Sequence, residues 1–201
     1  KGILQTDGYL AYENFAKDSI ERIGCLAHIR RKFFDAHKVA KQDPQPLEII
    51  KRIAEIYEIE DDAGERQLDP EQRRLLRQEK SVPLLRNLKE RIIEIRADSK
   101  VLPKSLLGKA CQYAINQWER MSRSMDHGEV EIDNNRCENG IRPLAVGRKN
   151  WLHIGSEQAG PKIAAIVSII ETCRRLDINV REYLLDVLPG LSESPQSDLP
   201  G

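Results

Sequence analysis

The chain of 201 residues lacks an excess of charge of either sign, with 32 Lys and Arg against 32 Asp and Glu and a formal net charge of zero. That balance excludes function by bulk charge neutralisation, as in histone-like or polybasic proteins. It also excludes global disorder, because hydrophobic residues reach 40% beside 32% charged ones, enough to build a core. No run approaches the roughly 20 apolar residues of a membrane-spanning helix, so no membrane partner is expected. The opening KGILQTDGYLAYENF has no apolar stretch of the signal-peptide kind. Cysteine is sparse and scattered, at Cys25, Cys111, Cys137 and Cys173, which excludes a disulfide framework and points to a reducing cytoplasm. Phosphate-cradling G-x-x-x-x-G-K-[ST] loops, dinucleotide fingerprints and G-x-S-x-G elbows are all missing. So are internal repeats and low-complexity blocks. The first residue is Lys1 rather than Met and a strand-like run begins at once, which reads as a fragment without its natural N-terminal part.

The patterning that is present is mostly helical. Ile3 to Thr6 reads as the end of a strand closed by Asp7-Gly8, with a short helical turn around Tyr9 to Phe15 and a second brief strand at Arg22 to Gly24. Cys25 then opens a helix whose stripe is Leu26, Ile29, Phe33, His37 and Ala40, with Arg30, Arg31, Lys32, Lys38 and Lys41 off it. A second helix carries Leu47, Ile50, Ile53, Ala54 and Tyr57. Asp69-Pro70 is a helix start, Pro83 should kink or break the charged helix that begins there, and Leu85, Leu88, Ile92 and Ile95 resume a face. Pro103-Lys104-Ser105 starts a helix lined by Leu107, Ala110, Ala114 and Trp118. Glu129 to Ile132 reads as a short strand, and Asp133 as the cap of a helix ended by Gly140 or Pro143. Lys149 to Ile154 reads as extended. Two amphipathic helices finish the chain, one with Ile163, Ile166, Val167, Ile170 and Cys173, the other capped by Asn179 with Val180, Tyr183, Leu184, Val187 and Leu188. The tail from Pro189 reads as disordered. Short strands around a long helical segment suit an α/β core with a helical insertion.

Several residues are candidates for chemistry. A carboxylate at a strand end, such as Asp7 before Gly8, points out of the sheet, and it is equally the residue a turn prefers. Glu138 in IDNNRCENGIRP is a helix carboxylate, with Asp133, Asn134 and Asn135 as plausible caps. Cys25 and His28 have half of a zinc-site spacing without a second half, so packing and hydrogen bonding near a polar cleft is the expected use. Arg30-Arg31-Lys32, Arg142 and Arg148-Lys149 are compact basic clusters in a neutral chain, suited to phosphate contacts or to solvated helix faces.

Five blocks occur in order: LQTDGYLAY, GCLAHIRRKFFDA, LPKSLLGKACQYAINQW, EIDNNRCENGIRPLAVGRKNWLHIGS and SIIETCRRLDINVREYLLDVL. Together they resemble the C-terminal half of bacterial insertion-sequence 66 family transposases, over about Ile3 to Leu188. The resemblance implies a transposase of the DDE type, with a partial ribonuclease-H-like core, a large all-helical insertion at about 41–128 and a C-terminal helical extension. In domain terms the core portion would be 1–160, the C-terminal helical region 161–188 and the tail 189–201. Asp7 matches the second catalytic aspartate and Glu138 the glutamate, and in the family three carboxylates hold two divalent ions. The first aspartate has no counterpart in the chain.

The implied function is metal-dependent DNA strand cleavage and strand transfer, incomplete in this chain because that first carboxylate is missing. Two Mg²⁺, with Mn²⁺ as a substitute, would be held by Asp7 and Glu138 with the absent ligand. DNA contacts are expected from Arg31, Arg142, Arg148 and Lys149. Trp151 would either stack on an unpaired base or pack in the core. Cys25, His28, Asp133 and Asn134 are expected to support the site. The partners implied are transposon-end and target DNA and a homo-oligomer of the full-length protein. The alternative is a non-catalytic DNA-binding or assembly module built from the same basic patches.

Overall fold

A computed structural model describes residues 2–8, 20–151 and 156–191, with the backbone alone for 148–151 and 190–191. The expected turn at Tyr9 to Phe15 lies outside these residues. Two compact units divide the chain, Lys1–Arg136 and Cys137–Gly201.

The first unit opens with strands β1 (Gly2–Gln5) and β2 (Ile20–Ile23), paired in parallel with Gly2 opposite Ile20 and Gln5 opposite Ile23. The bond from Thr6 N–H to the Ile23 carbonyl (3.0 Å) carries the pairing one residue further, up to Asp7. This pair is the only sheet among the described residues.

Helix α1 (Leu26–Val39) buries Leu26, Ile29, Phe33 and Ala36, spaced 3, 4 and 3 apart. The expected stripe holds as far as Phe33. Its last members shift because the helix ends at Val39, so that Ala40 is an exposed cap and Ala36 completes the face. Helix α2 (Pro44–Glu65) starts on Asp43, whose carboxylate accepts from Gln45 N–H (2.9 Å), with proline in the first turn where no donor is needed. Its buried residues are Pro46, Ile49, Ile50, Ile53, Ile56, Glu60 and Ala63, so the expected Ile50 and Ile53 are buried, Ala54 and Tyr57 are half-buried, and Leu47 is exposed.

Asp69 and Gln72 form a reciprocal capping box at the start of α3 (Pro70–Leu76). The chain does not break at Pro83. It continues through a π-helical turn (Arg77–Ser81) into α4 (Val82–Ala97), placing the proline in the first turn of α4. A widened turn just ahead of proline makes room for its ring. Leu85, Leu88, Ile92 and Ile95 of α4 are buried, as are Leu107, Ala110, Ala114 and Trp118 of α5 (Leu106–Ser122), which is capped by Ser105. Helix α1 packs on α2 and α5, and α4 on the same two, so one apolar core runs through the bundle.

After α5 a 3₁₀ turn (Arg123–Asp126) leads into a segment expected to include a strand at Glu129 to Ile132. No strand forms there, because the backbone acceptors are used otherwise. Arg77 donates to the carbonyls of Ser124, His127 and Val130 at 2.8, 2.6 and 2.9 Å. Gly128 is required in this segment, since a Cβ there would fall 1.7 Å from the Pro70 carbonyl oxygen.

Helix α6 (Asn135–Trp151) leads into the second unit and runs through Gly140 and Pro143 rather than ending at either. It forgoes the single hydrogen bond that Pro143 cannot donate. Residues 149–151, expected to be extended, are its last turn, and 152–155 lie outside the described residues. Within the second unit, α7 (Ala159–Arg175) contacts α8 (Val180–Leu191) through a turn at Asp177, and Asn179 caps α8 by accepting from Arg181 and Glu182 N–H. Of the expected α7 face only Cys173 is buried, and Ile166 is exposed. Pro189, expected to open the tail, lies inside α8.

Candidate functional site

Asp7 sits where β1 ends. Tyr113 of α5 donates its hydroxyl to the Asp7 carbonyl (2.7 Å), which holds the backbone there, and Asp7 is half-buried. Gly8 comes next at φ +84°, a left-handed turn that glycine adopts without steric cost. Burial pushes the Tyr113 hydroxyl above its ordinary pKa range, and the neighbouring Asp7 charge adds to the shift. Lys32 lies over the ring of the same tyrosine at 5.3 Å.

The segment ahead of α6 is held from several directions within the first unit. Gln5, two residues before Asp7, donates to the Glu131 carbonyl (2.7 Å). Leu26 N–H at the start of α1 donates to the Ile132 carbonyl (3.0 Å). Asn134 N–H donates to Cys25 Sγ (3.4 Å), and Tyr57 donates its hydroxyl to Asp133 Oδ2 (2.6 Å). Asp133 also caps α6, accepting from Asn135 N–H at 2.9 Å. Burial, and then the bond to Asp133, raise the Tyr57 pKa strongly, so the hydroxyl remains a donor. Cys25, Asp133 and Asn134 therefore all take part in the bonds that hold this segment. Cys25 is buried at the cap of α1, and that burial raises its pKa.

The other expected residues are dispersed. His28 lies one turn along α1, with its Nε2 3.4 Å from Arg31 Nη1. Arg31 is exposed on α1. Glu138 occupies the first turn of α6 and is half-buried in the second unit, where Arg142 is exposed. Arg148, Lys149 and Trp151 belong to α6 by backbone, and their side chains lie outside the described residues. Among the described residues no three His, Cys, Asp or Glu side chains gather to hold a metal ion. Asp7 and Glu138 are hard oxygen donors of the kind Mg²⁺ takes, and so fit as members of such a set without completing it.

Sequence reasoning missed the buried charge network. Arg77 is fully buried and pairs with Glu60, while Arg73 bridges Glu60 to Glu131. Arg73 holds the Glu131 carboxyl below the usual carboxylate range. The only sequence signal was the i, i+4 spacing of Arg73 and Arg77, common on solvated helices. Beside the network a cavity of about 610 Å³ is lined by Glu60, Asp61, Glu65, Glu131 and Asp133 with Arg73. Its acidic wall repels phosphate. On the other side of Tyr57 a hollow of about 410 Å³ carries Arg30 and Arg31 instead.

The family model described as Transposase IS66 family matches residues 1–162. Two proteins of Sinorhizobium fredii (strain NBRC 101917 / NGR234) are similar along nearly all of the chain. The uncharacterized protein y4jD is 34% identical over 194 residues, 93% of this chain and 37% of that protein. The uncharacterized protein y4qI is 34% identical over 207 residues, 98% of this chain and 38% of that protein. The chain thus spans less than two fifths of the length of the curated relatives it matches. No solved structure matches.

Proposed function

Because the chain belongs to the IS66 transposase family, we propose that it forms the later part of a DNA strand-transfer catalytic region, with Asp7 and Glu138 as two of its three metal-binding carboxylates. The observation that carries this reading is the family match over residues 1–162, which spans both carboxylates. The local geometry supports it. Asp7 leaves a parallel strand with its backbone clamped by Tyr113, and the lead into the Glu138 helix is strapped to the same unit by Gln5, Cys25 and Tyr57.

When bound, paired Mg²⁺ or Mn²⁺ ions supply charge stabilisation and a nucleophile for in-line phosphoryl transfer. The chain's own contribution is positional. Tyr113 fixes the Asp7 backbone, Asp133 starts the helix that presents Glu138, and Arg31 and Arg142 offer positive charge to DNA phosphates. A ribonuclease-H-like core around β1 and β2, a helical insertion formed by α2 to α5, homo-oligomeric assembly and a cytoplasmic setting belong to the same proposal.

The test is DNA strand cleavage in Mg²⁺ or Mn²⁺ by the full-length gene product. Asp7→Ala and Glu138→Ala should each abolish cleavage while DNA binding persists. Cleavage that survives both substitutions overturns the assignment. DNA binding with no cleavage by the unsubstituted protein would favour the non-catalytic assembly module.

A further inference from the structure

We propose that the hollow between α1 and α2 seats an unpaired nucleotide of DNA, with its base on the Phe34 ring and its phosphate on the guanidinium groups of Arg30 and Arg31. The identity of the polymer rests on the proposed transposase function, and the form in which that polymer is bound rests on the hollow itself.

The hollow measures about 410 Å³, within the range of small-ligand sites. Its lining includes Ala27 and Ala54, small residues that take up little of the space. Phe34 at the wall is 43% exposed, although its neighbour Phe33 is fully buried in the bundle. An aromatic ring left in water beside cations is an available stacking surface rather than core. Tyr57 forms another wall, and because its hydroxyl is committed to Asp133 it can present its ring. Lys38 Nζ lies over one face of the Phe34 ring, 4.7 Å from its centre, which leaves the opposite face for a base, and Arg30 and Arg31 line the same hollow.

That combination selects the occupant. Cations take the phosphate of any nucleic acid, but a stacking ring can meet a base face only where the base has left its neighbours. The acidic cavity beyond Tyr57 opposes phosphate, so the backbone is confined to the Arg30–Arg31 side. Asn135, at the edge of the hollow, is the first residue of α6, the helix that carries Glu138. A nucleotide held here is thereby anchored beside the start of that helix.

The experiment is fluorescence anisotropy with the full chain in a chelating buffer, comparing an end-labelled oligothymidylate of about 16 nucleotides with a duplex of equal length. Chelation removes any dependence on Asp7 and Glu138, so failure of the metal reading cannot mimic failure here. The single strand should bind the more tightly. Phe34→Ala should weaken it by about tenfold or more and Phe34→Trp should not. Arg30→Ala should reduce the salt dependence by about one phosphate contact. Circular dichroism should show all three variants as folded as the parent, since both side chains are exposed. Equal affinity for the two DNA forms, a change of twofold or less in Phe34→Ala, or no binding at low salt would overturn the proposal.

Discussion

Arg77 and Glu60 face each other as a two-pronged pair, Nε to Oε1 and Nη2 to Oε2, both at 2.7 Å, with the arginine fully buried. The remaining donor capacity of the guanidinium goes to three backbone carbonyls between residues 124 and 130. One side chain thus joins α2, the π-helical turn and the segment that leads to α6. A buried arginine is tolerable only because every N–H is satisfied.

Replacing it should therefore be costly. Arg77→Met leaves three carbonyls buried without their donor and Glu60 with Arg73 as its remaining cation, and should lower stability by about 3–5 kcal/mol in urea denaturation. Arg77→Met combined with Glu60→Met should recover part of the loss by removing a buried charge that has lost one of its two partners. A loss under about 1 kcal/mol in the single variant would mean that the pair is not buried as described.

Acid should weaken the same region. The Glu131 carboxyl is depressed in the folded chain, chiefly by Arg73, so the unfolded chain binds its proton more readily. The stabilisation is complete above the unfolded value of about 4.3 and is lost as pH falls through the lower folded value. Melting temperature followed from neutral pH downward should drop in that window, and Glu131→Gln should flatten the drop. Parallel curves for parent and variant would remove Glu131 as a contributor.

Gly8 gives a third expectation. At φ +84°, with a Cβ placed 2.8 Å from the Gln117 side chain, alanine should cost about 1–3 kcal/mol. Trimming Gln117 to alanine as well should relieve the contact and leave the backbone cost. A stability equal to the parent's in Gly8→Ala would show that the turn after Asp7 is not left-handed.

Thiol chemistry checks the helix packing. Cys25, Cys111 and Cys173 are buried and Cys137 is exposed. Burial also lifts the Cys111 thiol to a pKa of about 11, which slows its reaction further. A disulfide reagent should titrate one thiol rapidly in the native chain and all four in denaturant. Two or more fast native thiols would contradict the burial of Cys25 or Cys173.

Helix starts and apolar faces were legible because they rest on local chemistry. Asp69-Pro70, Ser105 and Asn179 cap as their side chains dictate, and Leu85, Leu88, Ile92 and Ile95 bury together as their spacing requires. Faces went partly astray where the neighbour decides, as in α2, whose burial is set by α1 and α4 and includes Glu60. Proline misled at Pro143, through which α6 continues, whereas at Pro83 the helix is disrupted as a π-helical turn just ahead of the ring. In the segment expected as a strand at Glu129 to Ile132, the carbonyls of Val130, Glu131 and Ile132 go to Arg77, Gln5 and Leu26, partners distant in sequence that no local pattern reveals. Of the candidate site, Asp7 at a strand end and Asp133 as a cap were readable. The bonds from Tyr113, Gln5 and Tyr57 that hold them were not.

The proposal that Asp7 and Glu138 serve one metal site is tested most directly by ferrous cleavage mapping. Fe²⁺ with ascorbate and peroxide releases radicals where it binds, and these cut the adjacent backbone. Applied to the full-length gene product, it should cut beside Asp7 and beside Glu138. Mg²⁺ should suppress both cuts, and Asp7→Ala or Glu138→Ala alone should abolish both. Cuts at neither position, or a cut at one carboxylate that ignores substitution of the other, would contradict the shared site.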